Sequence, residues 1–323
     1  MTDPKTLIEE RLARNTWGLL GTQGYILGLD VGSYGLRASL IDLHSHKYMS
    51  LHRDTNDRSP QLVDQAINLG QQLLHDAGVT AGRLVRVGAG FGGPIDARHG
   101  IILMSPRAEG WERYPLRERL EDAFDAAVVV DNDANLIALA EATFGVGHDA
   151  QHLFYIHLSS GVGGGLVLNG HLYEGATTTA GEIGHAAVGL SDPARPGQPP
   201  RTLEQQLSLS GLMRRAAELG LETNRLEEIF GDHPAAKQVV HEAIEQLAAT
   251  LAQISALLDP QMIVIGGVVA RSGGDRFINA VSSRMQSFLD KPVERKIAVV
   301  PAMLGFDSVA IGSVALALQS MQE

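Results

Sequence analysis

The sequence predicts an α/β protein built as two lobes, and three observations carry that reading. Val128-Val129-Val130 is a β-branched run of a buried strand that empties, through Asp131-Asn132-Asp133, into the helix-forming stretch Ala134 to Phe144. A strand, a glycine turn and a second strand occur twice, at Tyr25 to Leu43 and at Leu153 to Leu168. The length of 323 residues fits two domains of ordinary size better than one. A duplicated lobe with one glycine turn each would bring the two turns face to face across a cleft.

The elements follow in order. Pro4 to Trp17 reads as a short helix with Ile8 and Leu12 one turn apart, broken by Gly21 to Gly24. Ile26 to Asp30 and Leu36 to Leu43 alternate as strands around the turn Gly32-Ser33-Tyr34-Gly35, and Tyr48 to His52 is a third strand. Val63, Ala66, Ile67 and Leu74 give Pro60 to Ala77 a helical spacing. Leu84 to Phe91 is a strand, and Gly90 to Pro94 is a loop that turns sharply or approaches something closely. Leu116 to Phe124 is helical, and Ala126 to Val130 is the strand that feeds the Asp131-Asn132-Asp133 junction.

After Gly145 the pattern restarts. Leu153 to Leu158 is a strand, Ser159 to Gly165 a glycine-rich turn, Leu166 to Leu168 the return strand and Asn169-Gly170 a hairpin turn. Gly175 to His185 is a polar loop, and four prolines make Asp192 to Pro200 an irregular connection. Thr202 to Leu219 and Leu226 to Ile229 are helical. Ala235 to Leu258 is the longest amphipathic helix, stopped by Asp259-Pro260. Met262 to Ile265 is a buried strand that opens into Gly266-Gly267. A helix at Asp275 to Phe288, a strand at Ile297 to Val300 and a helix of small residues at Val309 to Met321 complete the chain.

Lysine and arginine number 26 against 37 acids, a net charge of −11, which argues against a nucleic-acid surface and suits a small-molecule partner. The chain has no cysteine, so disulfides and thiolate metal sites are excluded. No apolar run reaches the roughly 18–20 residues of a membrane span. The charged N-terminus has no signal-peptide core, so a cytoplasmic address is expected.

Three glycine turns follow apolar strands, at Gly32/Gly35, at Gly161 to Gly165 and at Gly266-Gly267. Exposed N–H groups in such turns form anion-binding concavities, although tight turns use glycine in any case. Together with a carboxylate after a fourth strand, they fit a nucleoside triphosphate held between two lobes. Asp133 has two readings: a helix cap, or a carboxylate at the sheet's carboxyl edge that accepts a proton from a substrate hydroxyl.

These stretches resemble the ROK family of sugar kinases and repressors, within the actin/hexokinase-like ATPase superfamily. The resemblance rests on Leu29-Asp30-Val31-Gly32, Gly93-Pro94-Ile95-Asp96, Gly110-Trp111 and Asp131 to Asn135 with Ala138 to Glu141. It continues in Ser160 to Gly165, Asn169-Gly170, Ala180 to His185, Leu203-Glu204 and Ile263 to Gly267. It runs from Tyr25 to the final helix, and the Gly-Glu-Ile-Gly-His run is its most specific part. It implies two ribonuclease-H-like lobes with an interlobe cleft. Residues 1–24 would be a helical extension too short for a winged helix-turn-helix domain. Residues 25–134 with 309–323 would form the N-terminal lobe, and residues 135–308 the C-terminal lobe.

The resemblance also implies ATP-dependent phosphorylation of a hexose or N-acetylhexosamine. Asp133 would be the general base, and Asn132, Glu182, His185, Glu204 and Gly93 would hold the sugar. Asp30 would face the Mg2+-bound phosphates, Gly32, Ser33, Ser160 and Gly161 would line the phosphate turns, and Gly266 and Gly267 the adenosine side. Taken singly, Glu182 also reads as a solvated loop acid, His185 as a packed histidine and Glu204 as a first-turn helix acid. A homodimer or homotetramer, with no nucleic-acid or membrane partner, is expected.

The family pattern is broken in places. The family's three-cysteine zinc run falls at Asp192 to Arg201, which has no cysteine, so no structural zinc is expected. Tyr34 stands where a phosphate-reaching threonine is usual, Val268 where a third glycine is usual, Gly92 in place of a proline and Arg107 in place of an asparagine. The altered first phosphate turn, with Tyr34, and Val268 support an alternative: a sugar-sensing regulator whose catalysis has decayed and which lacks its own DNA-binding domain. A purely structural protein would leave the polar residues at four strand ends without a purpose.

Overall fold

A computed structural model describes residues 3–14, 23–32, 35–80, 82–105, 108–188, 197, 200–289 and 297–322. Ser33, Tyr34, Arg107 and most of the proline-rich connection therefore lie outside the described residues. The chain divides into two compact units. The first comprises residues 1–149, 171–179 and 303–323, and the second residues 150–170 and 180–302.

In the first unit α1 (Pro4–Arg14) precedes β1 (Tyr25–Gly32), β2 (Gly35–Asp42) and β3 (Tyr48–Arg53). Then come α2 (Gln61–Asp76), β4 (Leu84–Phe91), the small hairpin β5 (Ile95–Asp96) and β6 (Ile101–Ile102), α3 (Leu116–Phe124), β7 (Val128–Asn132) and α4 (Asp133–Thr143). The sheet order is β3-β2-β1-β4-β7. β1 pairs antiparallel with β2 and parallel with β4, which pairs parallel with β7. Because side chains alternate along a strand, the sheet has two unlike faces. Leu27, Leu29, Val31, Val87, Ala89, Val128 and Val130 pack with α2 and α3 into a large apolar core.

The other face carries Gly28, Gly88 and Gly90. A Cβ at Gly28 would overlap the Ala310 carbonyl oxygen, and one at Gly88 the Ser313 carbonyl oxygen. These contacts let the last helix lie directly on the sheet, and Ser313 Oγ donates to Leu29 O at 3.1 Å. In that helix a Cβ at Gly312 would strike Leu136 O, so α4 is approached as closely. Residues 134–141 of α4 are all buried, as expected of a helix covered on every side. The buried carboxylate on α4, Glu141, takes the backbone N–H groups of Met303 (2.7 Å), Leu304 (2.9 Å) and Val146 (3.1 Å). It therefore ties the returning chain to α4, and burial raises its carboxyl above the ordinary value against those three donors. The expected boundary after Ala134 lies inside α4, which packs as a whole in the first unit.

The second unit repeats the strand pattern. β8 (His152–Leu158) and β9 (Val162–Leu168) form an antiparallel hairpin. β10 (His171–Leu172) belongs to the first unit. A single 3-10 turn at Ile183–His185 is followed by α5 (Leu203–Leu207), α6 (Leu209–Glu218), α7 (Leu226–Ile229) and α8 (Pro234–Leu258). β11 (Met262–Gly266), α9 (Val268–Phe288) and β12 (Ala298–Pro301) close the unit, and α10 (Ser308–Gln319) returns to the first. The strands of this unit run β9-β8-β11-β12, with β8 to β11 and β11 to β12 parallel.

Three expected elements change. The glycine-rich turn is shorter than Ser159 to Gly165, because Gly163, Gly164 and Gly165 lie inside β9. The helix expected over Thr202 to Leu219 breaks at Ser208, which is extended (ψ 163°) and caps α6 through Gly211 N. The helix expected at Asp275 to Phe288 is present with those bounds, but α9 also includes an unexpected helical segment from Val268 that meets it across a kink at the non-helical Gly274 (φ 58°, ψ −164°). Among the described residues, no helix is long and apolar enough to cross a membrane.

Candidate active site

The first unit gathers its polar residues at the carboxyl edge of three parallel strands. Asp30 of β1 is in register with Gly90 of β4, and Gly90 with Asp131 of β7. The strand-to-helix junction is tighter than the sequence pattern suggests: β7 continues two residues further, through Asp131 and Asn132, and α4 starts one residue earlier, at Asp133. Asn132, not Asp133, is the cap. It is extended (ψ 160°), and its Oδ1 accepts from Asn135 N at 2.8 Å. Capping therefore occupies the oxygen of Asn132. Asp133 is half-buried, and among the described residues its carboxylate accepts no hydrogen bond.

Asp131, only a polar interruption in the sequence pattern, is almost fully buried. Its Oδ1 accepts from Asn132 N (2.6 Å) and from Asn135 Nδ2 (2.9 Å). Burial pushes its carboxyl up to about 6, against the lowering effect of those two donors. It holds the backbone of Asn132 and the first turn of α4, and so fixes the place of Asp133.

Asp30 is also buried. Loss of hydration lifts its carboxyl to about 7, Arg37 pulls it down, and the charges of Asp133 and Asp307 push it up. Arg37 is in register opposite Asp30 on β2, pairs with Asp307 (Nε to Oδ1, 3.2 Å) and lies over the Phe306 ring at 5.5 Å. Sequence reasoning missed Arg37 and Asp307; a lone cation in the apolar run Leu36-Arg37-Ala38 was the available signal. Among the described residues no group of three or more His, Asp or Glu is placed to hold a metal ion by itself, so Asp30 offers a single desolvated carboxylate at this edge. Gly32 lies under the Asp30 carboxylate, where a side chain would collide with Oδ1. Ser33 and Tyr34, the rest of this turn, lie outside the described residues. Gly93 follows β4, and its N–H donates to Phe91 O at 3.1 Å.

In the second unit three expected sugar ligands gather around Val162. Glu204, in the first turn of α5, accepts from Val162 N at 3.0 Å. A Cβ at Gly161 would come within 2.8 Å of the same oxygen. The Thr202–Gln205 capping box fixes the start of α5 and so aims Glu204. On the other side of Val162, a Cβ at Gly184 would overlap its carbonyl oxygen, and Gly181 (φ 91°) presses on Gly164 O. The two glycines of the Gly-Glu-Ile-Gly run are thus demanded by close contact with β9. Between and after them Glu182 and His185 point outward, with Oε2 and Nε2 3.4 Å apart.

Ser160 stands exposed in the turn before Gly161. Gly266 covers the Tyr155 ring, whose hydroxyl is 2.6 Å from His157 Nδ1. Gly267 adopts φ 92° against the Leu158 carbonyl, a conformation that favours glycine. Val268 packs on the core of this unit. The family's cysteine zinc site does not fit here: the chain offers His185 and no thiolate. Asp30, Gly32, Gly93, Asn132 and Asp133 lie in the first unit, and Ser160, Gly161, Glu182, His185, Glu204, Gly266 and Gly267 in the second, where Glu204, Gly161 and Gly184 adjoin Val162.

A glucokinase of Pyrobaculum calidifontis is 30% identical over 91% of this chain and 95% of its own. A xylose repressor of Caldicellulosiruptor bescii is 24% identical over 92% of this chain and 79% of its own. The crystal structure of a ROK hexokinase from Thermus thermophilus superposes with a TM-score of 0.81 at 27% identity, covering 92% of this chain and 99% of that one. The fold is the actin/hexokinase-like fold of the ROK sugar kinases. The ROK family profile matches residues 26–320, and the chain belongs to the ROK family.

Proposed function

We propose that this chain is an ATP-dependent sugar kinase that phosphorylates a hexose or N-acetylhexosamine, with Asp133 as general base. The observation that carries this reading is the Asp133 carboxylate: half-buried, relieved of capping by Asn132, and accepting no hydrogen bond among the described residues. A base needs that spare acceptor capacity to take a proton from a hydroxyl. As the sugar oxygen bonds to the γ-phosphorus, its proton passes to Asp133 and the bond from phosphorus to the ADP oxygen breaks. Catalysis of this type is mostly positioning and charge stabilisation. Mg2+, when bound with the nucleotide, neutralises charge on the phosphates.

The remaining roles follow from the chemistry of each group. The Asn132 amide NH2, Gly93, Glu182, His185 and Glu204 hold the sugar, carboxylate to hydroxyl bonds being among the stronger ones. Asp30 stands by the Mg2+-bound phosphates. Gly32, Ser33, Ser160 and Gly161 line the phosphates, and Gly266 and Gly267 leave room for the nucleoside. A coupled ADP-release assay over a panel of hexoses and N-acetylhexosamines tests the reading. Turnover with one sugar class is expected. Saturable sugar binding without ADP release would instead favour the sugar-sensing regulator, which is supported by the repressor relative and by Tyr34 and Val268 at positions usually held by threonine and glycine.

A further inference from the structure

The buried carboxylate of Glu141 takes no part in the chemistry proposed for this chain, yet two distant stretches of backbone meet on it. The chain passes from the first unit to the second after Asp149 and, apart from the excursion at residues 171–179, returns at Met303. Both connections start from this one side chain. On the outgoing side Val146 N donates to Glu141 Oε2 at 3.1 Å, and Gly147 N to Glu141 O at 2.9 Å. On the returning side Met303 N (2.7 Å) and Leu304 N (2.9 Å) donate to Oε1. Slightly further along each connection the bonds belong to the second unit: Gln151 N donates to Gln261 Oε1 at 2.7 Å, and Ala302 N to Ile265 O at 3.0 Å. On the returning side the handover therefore falls between two consecutive N–H groups, those of Ala302 and Met303.

A carboxylate suits this task because its two oxygens serve two separate stretches of chain at once. Charge-assisted bonds of this kind are about twice as strong as neutral ones. A glutamine has one acceptor oxygen, so it would hold one connection and turn its NH2 group on the N–H of the other. Gly145 is part of the same fit, since a Cβ there would overlap Glu141 Oε2. α4 is buried over residues 134–141, and its first turn carries Asp133. Glu141 stands eight residues beyond Asp133, roughly 12 Å along the helix axis. The carboxylate that gathers the connections and the proposed base thus ride on one helix.

We propose that Glu141 is a positioning residue that fixes the inner ends of both connections to the helix bearing Asp133, and so confines their bending to Asp149-Ala150 and the Ala302–Met303 peptide. Hinges are a few loop or element-terminal residues that absorb a change in φ and ψ. With the inner ends held, a movement of the second unit reaches α4 as a load on the helix and is not lost as slack in the chain. The catalytic consequence rests on Asp133 being the base of a sugar kinase; the hinge does not.

The chain has no cysteine, so a cysteine pair at the exposed His75 of α2 and Gln253 of α8 places one spin label in each unit. Pulsed electron-spin resonance on the full, unliganded chain then reads the spread of distances between them. Glu141→Gln is expected to give a distribution roughly twofold broader than the parent. Amide hydrogen exchange at Val146, or at Met303 and Leu304, should rise roughly tenfold or more. Gly145→Ala presses a methyl group on Oε2 and keeps the charge; it should broaden the distances in the same direction, and it carries the test if the glutamine variant does not fold. Val63→Ala, in the core of the first unit, lowers stability away from the connections and should leave the width unchanged. Equal widths in the parent, Glu141→Gln and Gly145→Ala overturn the hinge, as does equal broadening in Val63→Ala. For sugar phosphorylation, kcat of Glu141→Gln is expected to fall roughly tenfold with the KM for ATP within about threefold. An unchanged kcat overturns the coupling to Asp133. Failure of the sugar-kinase reading leaves the distance and exchange results as stated.

Discussion

Two carboxylates flank Asn132, and their surroundings set them to different tasks. Asp131 is buried and holds two donors; Asp133 is half-buried and holds none among the described residues. For Asp133→Asn, sugar affinity measured by calorimetry should stay within a few-fold while turnover falls by about 10²- to 10⁴-fold. Unchanged turnover would remove Asp133 from its role. For Asp131 the consequence lies in stability. Its folded carboxyl sits near 6 against an ordinary 3.8, so between those values the folded chain keeps a proton that the unfolded chain has released. Stability from this group is therefore full below pH 4 and is lost as pH rises through 6. Asp131→Asn keeps an acceptor oxygen and abolishes the titration. The stability of wild type minus that of the variant should fall by about 2 kcal/mol between pH 4 and pH 7, read from urea melts. A flat difference would show that Asp131 titrates normally.

The elements are held at their spacings by glycine and small residues as much as by large apolar ones. α10 lies on the first sheet because Gly28, Gly88 and Gly90 offer no side chains on that face, and on α4 because Gly312 meets Leu136 O. Gly88→Ala places a methyl group on the Ser313 carbonyl, a backbone atom that cannot rotate away, and should cost roughly 3 kcal/mol or more. Gly78→Ala is the control. Gly78 has φ 68° but nothing within 4 Å of a Cβ, so it should cost only about 1 kcal/mol of backbone strain. Equal losses in denaturant melts would mean that α10 does not sit as described. The shortened turn before β9 has the same cause. Gly164 is needed inside the strand for Gly181 to reach its carbonyl, so a glycine run that looks like a loop is partly a sheet.

At the scale of the whole molecule, the first unit is assembled from three separate stretches of chain. α10 supplies the cover for β1 and β4, and Glu141 fastens the stretch that leads to it. A fragment of residues 1–149 should therefore fail to unfold cooperatively, because the Gly28, Gly88 and Gly90 face stays open. Adding residues 303–323 through a linker should restore a sigmoidal urea transition and near-ultraviolet circular dichroism. A cooperative 1–149 fragment would contradict that role for α10.

By itself the sequence determined the α/β class, most strand and helix positions and the ROK resemblance. β4 and α3 appear with the expected bounds, and α8 and β11 begin or end within one residue of theirs. These features are written in local periodicity and in short motifs. Tertiary structure decided the rest. Asn132 took the capping task, because β7 runs on through two polar residues and presents the Asn132 oxygen to Asn135 N. Asp131 and Glu141 became buried carboxylates, Glu141 through backbone donors far along the chain, and the turn that carries Glu182 and His185 reaches Val162 from one side and Glu204 from the other because Gly184 and Gly161 carry no side chain. Burial and close backbone approach arise between residues far apart in the chain, and no local pattern records them.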